Sequence, residues 1–344
     1  MALKNVTIAG GGLAGLALGI GLRQQGVPVT LLEAGSYPRH RVCGEFISGI
    51  LPGDLDALGI RDVLGRALRP RQTAWFDGDQ LFFRGTLPNA AYGVSRHFLD
   101  EALAARFLTC GGVLKTGQRA DAHAADEGTV LATGRILQPA GAARPGWLGI
   151  KAHYTDLPCT SDLEVHLGKH AYVGVTAVED GWVNVTGLFR EGNGAGGREN
   201  LLENAAAAAG LGELAGRLRR ARIRAGSLKG VNRFELGWQP GFGRGIRVGD
   251  AAAMIAPLTG NGMTMALQGA LAAVEPVAGW SRGAWDWREA ECRVVRSQRR
   301  LFASRIRWAL WLQRAVMHGW GRSLCTTVLR KGWVSFDTLV GLVR

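Results

Sequence analysis

A chain of 344 residues that is 47% hydrophobic and 20% charged, with 51 glycines, has the makeup of a globular α/β protein and excludes a disordered or fibrous one. Its formal charge of +13 is concentrated after Ser281, where thirteen Arg or Lys stand against Asp286, Glu289, Glu291 and Asp337. That tail is either a solvated basic face or a surface for an acidic partner, and Cys43, Cys110, Cys159, Cys292 and Cys325, scattered and without a CxxC pair, exclude a disulfide framework or a metal clasp.

The chain runs directly into a strand predicted over 5–9, leaving no room for a signal peptide, so a cytoplasmic location is expected. A glycine turn, a helix over 13–25 and a strand over 29–33 complete a βαβ unit. Residues 39–71 read as loop and then helix. A hairpin over 75–87 turns at Gly78-Asp79, and a helix over 97–109 follows Ser95. After a short strand over 129–133, four segments (147–152, 163–167, 171–178 and 182–189) read as a largely antiparallel sheet. Asn193 to Gly197 is a glycine-rich connection into an alanine-rich helix over 199–209, and 217–224 is a basic helix end or linker. A strand over 246–250 leads into the uncharged stretch 251–274. Pro257, Gly260, Asn261, Gly262 and Gln268 interrupt that stretch, making it a loop and a buried helix rather than a membrane span. Beyond Trp280 the sequence is helical, basic and rich in tryptophan.

Gly10-Gly11-Gly12-Leu13-Ala14-Gly15 matches G-x-G-x-x-G between a strand and a helix, the arrangement that brings backbone amides to a pyrophosphate. Glu33, followed by Ala34, ends the second strand where an acid can hold a ribose diol. Arg247-Val248-Gly249-Asp250 and the turn from Pro257 through Gly260, Asn261, Gly262 and Met263 lie more than two hundred residues further on.

This second pair of motifs resembles the FAD fingerprint of glutathione-reductase-type flavoproteins. The resemblance implies that Asp250 holds the ribityl and pyrophosphate region and that a helix N-terminus after Gly260 stabilises the anionic reduced ring. Arg41-Val42-Cys43-Gly44-Glu45-Phe46-Ile47-Ser48 is similar to the flavin loop of the geranylgeranyl-reductase-like branch, which overlaps the para-hydroxybenzoate-hydroxylase-type monooxygenases. Ser95-Arg96-His97 resembles that branch's arginine-bearing segment near FAD, and Tyr172-Val173-Gly174 with Trp182-Val183-Asn184 its substrate strands. The resemblance implies FAD held by Arg41, Cys43, Gly44, Arg96, Thr133 and Gly134 besides the fingerprint residues, with NADH or NADPH as candidate donor. Phe46, Tyr172, Trp182 and Asn184 become candidate substrate contacts. Cys43 and Glu45 become candidate catalytic groups, Cys43 as thiol or flavin contact, Glu45 as acid or base or else as a carboxylate paired with Arg41. His97, just inside a helix, reads as a surface or packing residue, and His153, His166 and His170 lie among strands without i, i+4 ligand spacing, so no metal is assigned.

The expected architecture is a Rossmann-type, glutathione-reductase-like FAD domain (1–74, 95–135 and 241–280) interleaved with an antiparallel substrate domain (75–94 and 136–240), followed by a basic helical region over 281–344. Two departures stand out. Ala132-Thr133-Gly134-Arg135 replaces the Asp-Gly pair usual in hydroxylases, and the tryptophan motif of flavin halogenases is absent around Trp285-Asp286-Trp287. Three functions follow. The first is a monooxygenase acting through a flavin C4a-hydroperoxide on a hydrophobic aromatic or polyketide-like substrate. The second is a reductase saturating prenyl or polyene double bonds, and the third a non-catalytic flavoprotein. In the tail, Leu301, Ile306, Trp308, Trp311, Leu312, Val316 and Trp320 alternate with Arg299, Arg300, Arg305, Arg307 and Arg314. This is either an amphipathic face for an anionic membrane or an acidic acyl carrier protein, or a helix packed on the enzyme. Nucleic acid is not expected, for no recognition motif accompanies the charge.

Overall fold

A computed structural model describes residues 2–120, 126–135, 146–190 and 200–343. Five parallel strands form one sheet in the order β16 (Ile246–Arg247), β8 (Thr129–Leu131), β1 (Val6–Ala9), β2 (Val29–Glu33) and β7 (Val113–Thr116). Helix α1 (Leu13–Gln24) is buried from Leu13 to Leu22 because the sheet, α3 (Arg96–Thr109) and α6 (Gly262–Ser281) surround it. A Cβ at Gly19 would lie 2.8 Å from Phe107 of α3, and one at Gly21 the same distance from Val274 of α6, so small residues let the three helices close together.

The second sheet runs β13 (Arg222–Ile223), β9 (Trp147–Thr155), β12 (Val183–Arg190), β11 (Ala171–Ala177), β10 (Leu163–Gly168), β4 (Gln72–Asp77), β5 (Gln80–Thr86), with β14 (Lys229–Val231) also on β9. All its pairs are antiparallel except β10 with β4. Helices α4 (Leu201–Ala208) and α5 (Gly212–Arg220) bury one face with Leu202, Ala206, Leu214 and Leu218. Opposite faces of strand residues alternate, so Val165, Leu167, Tyr172 and Leu188 turn the other way, toward Phe234, Leu258 and Val316. Two small ladders, β3 (Phe46–Ile47) with β6 (Tyr92–Gly93) and β15 (Gly237–Trp238) with β17 (Ala253–Met254), complete the strands.

The expected core elements are present, with shifted ends. Strand β9 continues past Ala152 to Thr155, and β7 was not expected because its Val113, Lys115 and Thr116 are exposed at a sheet edge. Residues 39–71 form β3, the short helix α2 (Pro52–Ala57) and a 3₁₀ turn (Asp62–Arg66). The basic stretch 217–224 is the last turn of α5 and β13. The Asn193 to Gly197 connection and Glu199 lie outside the described residues. The uncharged stretch is the 3₁₀ turn Pro257–Thr259 followed by buried α6, and among the described residues no helix is long and apolar enough to cross a membrane.

The C-terminal region is α7 (Trp287–Met317), α8 (Gly319–Arg330) and α9 (Phe336–Leu342). Asp286 caps α7 through the Glu289 amide, and Ser335 caps α9 through Thr338. Val294, Gln298, Phe302, Ile306, Ala309, Gln313 and Val316 form the buried stripe of α7, packed on α6 and α8.

Candidate active site

Sequence motifs far apart in the chain meet at the carboxyl edge of the parallel sheet, the usual binding crevice of such sheets. At Gly10, φ is +114° and an added Cβ would stand 2.3 Å from the Ala132 carbonyl, just before Thr133 and Gly134. A Cβ at Gly15 would strike the Gly10 carbonyl at 2.0 Å, and one at Gly249 would meet Ala14 at 2.8 Å. Gly12 differs. Its backbone is extended, and a Cβ there would meet only Arg96 Nη2 and Arg41 Nη2, at 3.7 and 3.9 Å. The amides opening α1 therefore face two guanidinium groups across a gap.

Asp100, fully buried, holds both arginines: Arg96 donates Nε and Nη2 to its two oxygens at 2.7 and 2.8 Å, and Arg41 donates Nε at 2.8 Å. Arg41 Nη2 is buried without a hydrogen-bond partner. At the end of β2, Glu33 Oε1 accepts the Gly35 amide and Arg39, and Oε2 accepts the Gly11 amide, which leaves Oε2 one acceptor position. Burial would raise the Glu33 carboxyl, but the Gly35 amide, Arg39 and Arg41 outweigh it and hold it below the ordinary range. Ala34 follows it and is exposed. Arg41 Nη2 stands 3.6 Å from Glu33 Oε2, an ion pair too long for a hydrogen bond. The glycine cradle, this guanidinium nitrogen without a hydrogen bond and the free acceptor position fit the pyrophosphate and ribose of a dinucleotide.

The segment Arg41 to Ser48 runs from this anion site to the second sheet. Asn184 Nδ2 and Thr186 Oγ1 donate to the Cys43 carbonyl at 3.1 and 2.7 Å. Ser48 Oγ donates to Asn261 Oδ1 at 3.2 Å, and Thr264 Oγ1 donates to the Ser48 carbonyl at 2.7 Å. Gly260 adopts φ +65°, and Asn261, Gly262 and Met263 open α6, whose first amides lack intrahelical acceptors. Asp250 is the middle residue of the 3₁₀ turn Gly249–Ala251 after β16, and its carboxylate makes no hydrogen bond among the described residues. Burial raises its carboxyl, against the pull of Arg135, Arg96 and Arg41. Burial also pushes the Cys43 thiol up, against the pull of Arg96, so the thiol keeps its proton at neutral pH.

Glu45 is not paired with Arg41. Its carboxylate is fully buried, 3.1 Å from Lys151 Nζ and 2.5 Å from His153 Nε2, and accepts the Arg96 amide at 3.0 Å. Burial would raise this carboxyl, but His153 and Lys151 hold it down. His40 Nδ1 lies 3.4 Å from Lys151 Nζ, and its ring meets that of His97 at a tilt of 32° with centroids 4.5 Å apart. Burial, with Lys151, His153, His97 and Arg224 close by, drives His40 down to about 3.

A cavity of about 390 Å³ lies between this segment, the second sheet and the C-terminal helices. Cys43, Gly44, Phe46, Pro257, Gly260 and Asn261 form its wall on one side and Tyr172, Gly174, Thr186 and Leu188 on the other. Tyr172 is buried with its hydroxyl unpaired. Asn184 shares this strand face, its Nδ2 donating to the Cys43 carbonyl and Thr186 while its Oδ1 is buried without a partner, and Trp182 precedes β12 with Arg224 over its ring at 4.9 Å. Neither lines the cavity. Nor does Glu45, which lies behind the loop.

Four residues here carry no local motif: Asp100, Lys151, His153 and Arg135, the last lining the cavity and facing Asp250 and Cys43. Asp100, four residues after Arg96 on α3, had a helical i, i+4 signal, whereas Lys151 and His153 are recognisable only through the sheet register.

No protein-family model matches the sequence, and no curated protein pairs with it. Solved structures do. The p-nitrophenol 4-monooxygenase PnpA from Pseudomonas putida DLL-E4 superposes with a TM-score of 0.75 at 15% identity, covering 100% of this chain and 97% of that one. PqsL, a probable FAD-dependent monooxygenase from Pseudomonas aeruginosa, gives 0.70 at 13% identity over 95% and 100% of the chains. The flavin-dependent brominase Bmp2 gives 0.65 at 17% identity over 100% and 98%. The chain thus has the fold of the flavoprotein monooxygenases over its whole length.

Proposed function

We propose that the protein is an FAD-dependent monooxygenase acting on a hydrophobic aromatic or polyketide-like substrate. The observation that carries this reading is the apolar cavity walled on one side by the Cys43 to Ser48 segment and the Pro257 to Asn261 turn, and on the other by the sheet of Tyr172 and Leu188. It adjoins the anion cradle that suits a dinucleotide. The neighbours' substrates agree with it: p-nitrophenol is aromatic, as is the 2-aminobenzoylacetate bound to PqsL.

Gly10, Gly12 and the first turn of α1, with Arg41 and Arg96, would hold the pyrophosphate; Glu33 the adenosine ribose; Asp250 the ribityl chain; and Gly260 to Met263 the ring. FAD held there would supply the redox chemistry of a monooxygenase, the two electrons coming from a donor such as NADH or NADPH, one atom of dioxygen entering the substrate and the other leaving as water. The chain's own part is placement and exclusion. Phe46, Leu188 and the C-terminal helices keep water out, and the opening of α6 presents its positive end to developing negative charge. Tyr172 would orient a polar group of the substrate.

A second reading, reduction of a prenyl or polyene double bond, draws on Cys43, a protonated thiol in the cavity wall that could supply a proton. Turnover of candidate substrates under ¹⁸O₂ separates the two. Label in the product supports the oxygenase; a product two hydrogens heavier, formed in the strict absence of oxygen, refutes it and supports the reductase.

A further inference from the structure

The face of α7 opposite its buried stripe has no partner among the described residues. Arg300, Ser304, Arg307, Trp308, Trp311 and Arg314 share it by helical spacing and are all exposed. Trp308 and Trp311, 39% and 57% exposed, contact each other edge to face with centroids 6.0 Å apart. The patch continues onto α8. Leu324, 53% exposed, and Trp311 both line the cavity, so they stand at its rim, and Trp320, 76% exposed, is one turn from Leu324 on the same helix. Arg300, Arg307 and Arg314 make no ion pair among the described residues, and the sequence has no acid between Glu291 and Asp337.

Tryptophans on one surface, flanked by arginines without counter-charges, match the chemistry of a lipid headgroup region, where indoles settle at the interface and guanidinium groups meet phosphates. A solvated basic face gives no reason for Trp308, Trp311, Trp320 and Leu324 all to stand exposed on α7 and α8. We infer that the α7–α8 face docks on an anionic bilayer, with the cavity rim of Trp311 and Leu324 turned to the lipid. An apolar substrate dissolved in the membrane then reaches the cavity without crossing bulk water. That consequence rests on the proposed hydrophobic substrate; the docking does not.

The test is sedimentation of the full, FAD-loaded chain with vesicles of phosphatidylcholine alone or with a minor share of phosphatidylglycerol, at low and high sodium chloride. The expected result is binding to the anionic vesicles only, reversed by salt. Each exposed arginine near the surface contributes about fivefold, so Arg307→Gln with Arg314→Gln should weaken binding about twenty-five-fold. Trp308→Ser with Trp320→Ser, neither of which lines the cavity, should weaken it as well while FAD content and circular dichroism stay unchanged. Failure of the unaltered chain to bind anionic vesicles at low salt would overturn the inference. So would full binding by the arginine variant, or capture by an acidic acyl carrier protein in place of vesicles. No turnover is measured, so a negative result leaves the proposed enzyme standing, and an enzyme that proves to be a reductase leaves the docking standing.

Discussion

Replacing Gly12 by alanine separates folding from cofactor binding. The backbone at Gly12 has φ −86° and ψ −175°, open to any residue, and the new methyl would meet nothing closer than Arg96 Nη2 at 3.7 Å. As the residue before α1, alanine loses up to about 1 kcal/mol of capping preference, offset by the ~0.4–1 kcal/mol gained from restricting the unfolded chain. Stability should therefore change by less than about 1 kcal/mol. The same methyl occupies the gap between the α1 amides and the two arginines, where the pyrophosphate must approach. Losing two hydrogen bonds to a charged group, at about 1.5–3 kcal/mol each, weakens FAD by roughly 10² to 10⁴-fold. Gly10→Ala is the contrast, because φ +114° and the Ala132 carbonyl at 2.3 Å make it destabilise the fold itself. Urea denaturation of flavin-free protein and titration of apoprotein with FAD, followed by flavin fluorescence, measure the two effects. A Gly12→Ala protein that binds FAD within threefold of the unaltered chain would refute the placement of the pyrophosphate.

Glu45→Gln strands the buried Lys151 ammonium and should cost about 3–5 kcal/mol in urea denaturation, most of it recovered when Lys151→Met is added; a double variant no better than the single one would show that the two do not form one pair. Tyr172→Phe removes a buried hydroxyl with no partner. The substrate-free protein should gain about 1 kcal/mol and its melting point should rise, while the Michaelis constant for a polar aromatic substrate increases; a fall in melting point would mean the hydroxyl is satisfied. His40 is held neutral in the fold, down to about 3, among Lys151, His153, His97 and Arg224, whereas the unfolded chain takes up its proton near 6.5. Stability is thus complete above 6.5 and declines as pH falls toward 3, and His40→Gln should flatten that decline when urea midpoints are compared at neutral and mildly acidic pH. Equal slopes for both proteins would count against this.

What the sequence made legible was local chemistry. Gly10 and Gly15 declare a strand-turn-helix because each answers a contact within six residues or one just past the adjoining strand, and Ser95 declares the start of α3 because its hydroxyl accepts the Phe98 amide. The pairings inside the site were not legible. Glu45 had Arg41 four residues away as an obvious partner, yet Arg41 turns to Asp100, and Glu45 is neutralised by residues over a hundred positions further on. The cause is specific. Strand β9 reads as ending at Ala152 because the apolar run is broken by Lys151 and His153, and those two polar residues are buried to meet Glu45. A buried ionic group at a strand position cancels the alternation from which the strand would be recognised. The tail divided in the same way: Ile306 and Val316 belong to the core and Arg305 donates to Gln268, whereas Trp308, Trp311 and Trp320 stay exposed beside Arg299, Arg300, Arg307 and Arg314.

The loop from Arg41 to Ser48 joins elements that would otherwise be independent. Arg41 is fixed to α3 through Asp100, the Cys43 carbonyl to β12 through Asn184 and Thr186, Glu45 to β9 through Lys151 and His153, and Ser48 to the start of α6 through Asn261. Asn261 in turn donates its side-chain amide to the Val343 carbonyl at the end of α9. One asparagine therefore couples the turn assigned to the flavin ring with the last helix of the basic tail. Val343 and Phe336 also line the cavity, so the tail is a wall of the site and not an appendage to it. The exposed face of α7 and α8 borders the cavity at Trp311 and Leu324, and α7 packs on α9, whose end meets Asn261 of the turn before α6. Removal of the tail would accordingly open the cavity to water and free Asn261 at once, so any loss of activity in a truncated chain would report on the site as much as on docking. Point variants on the exposed face, which leave the Val343 contact intact, are the perturbations that tell the two apart.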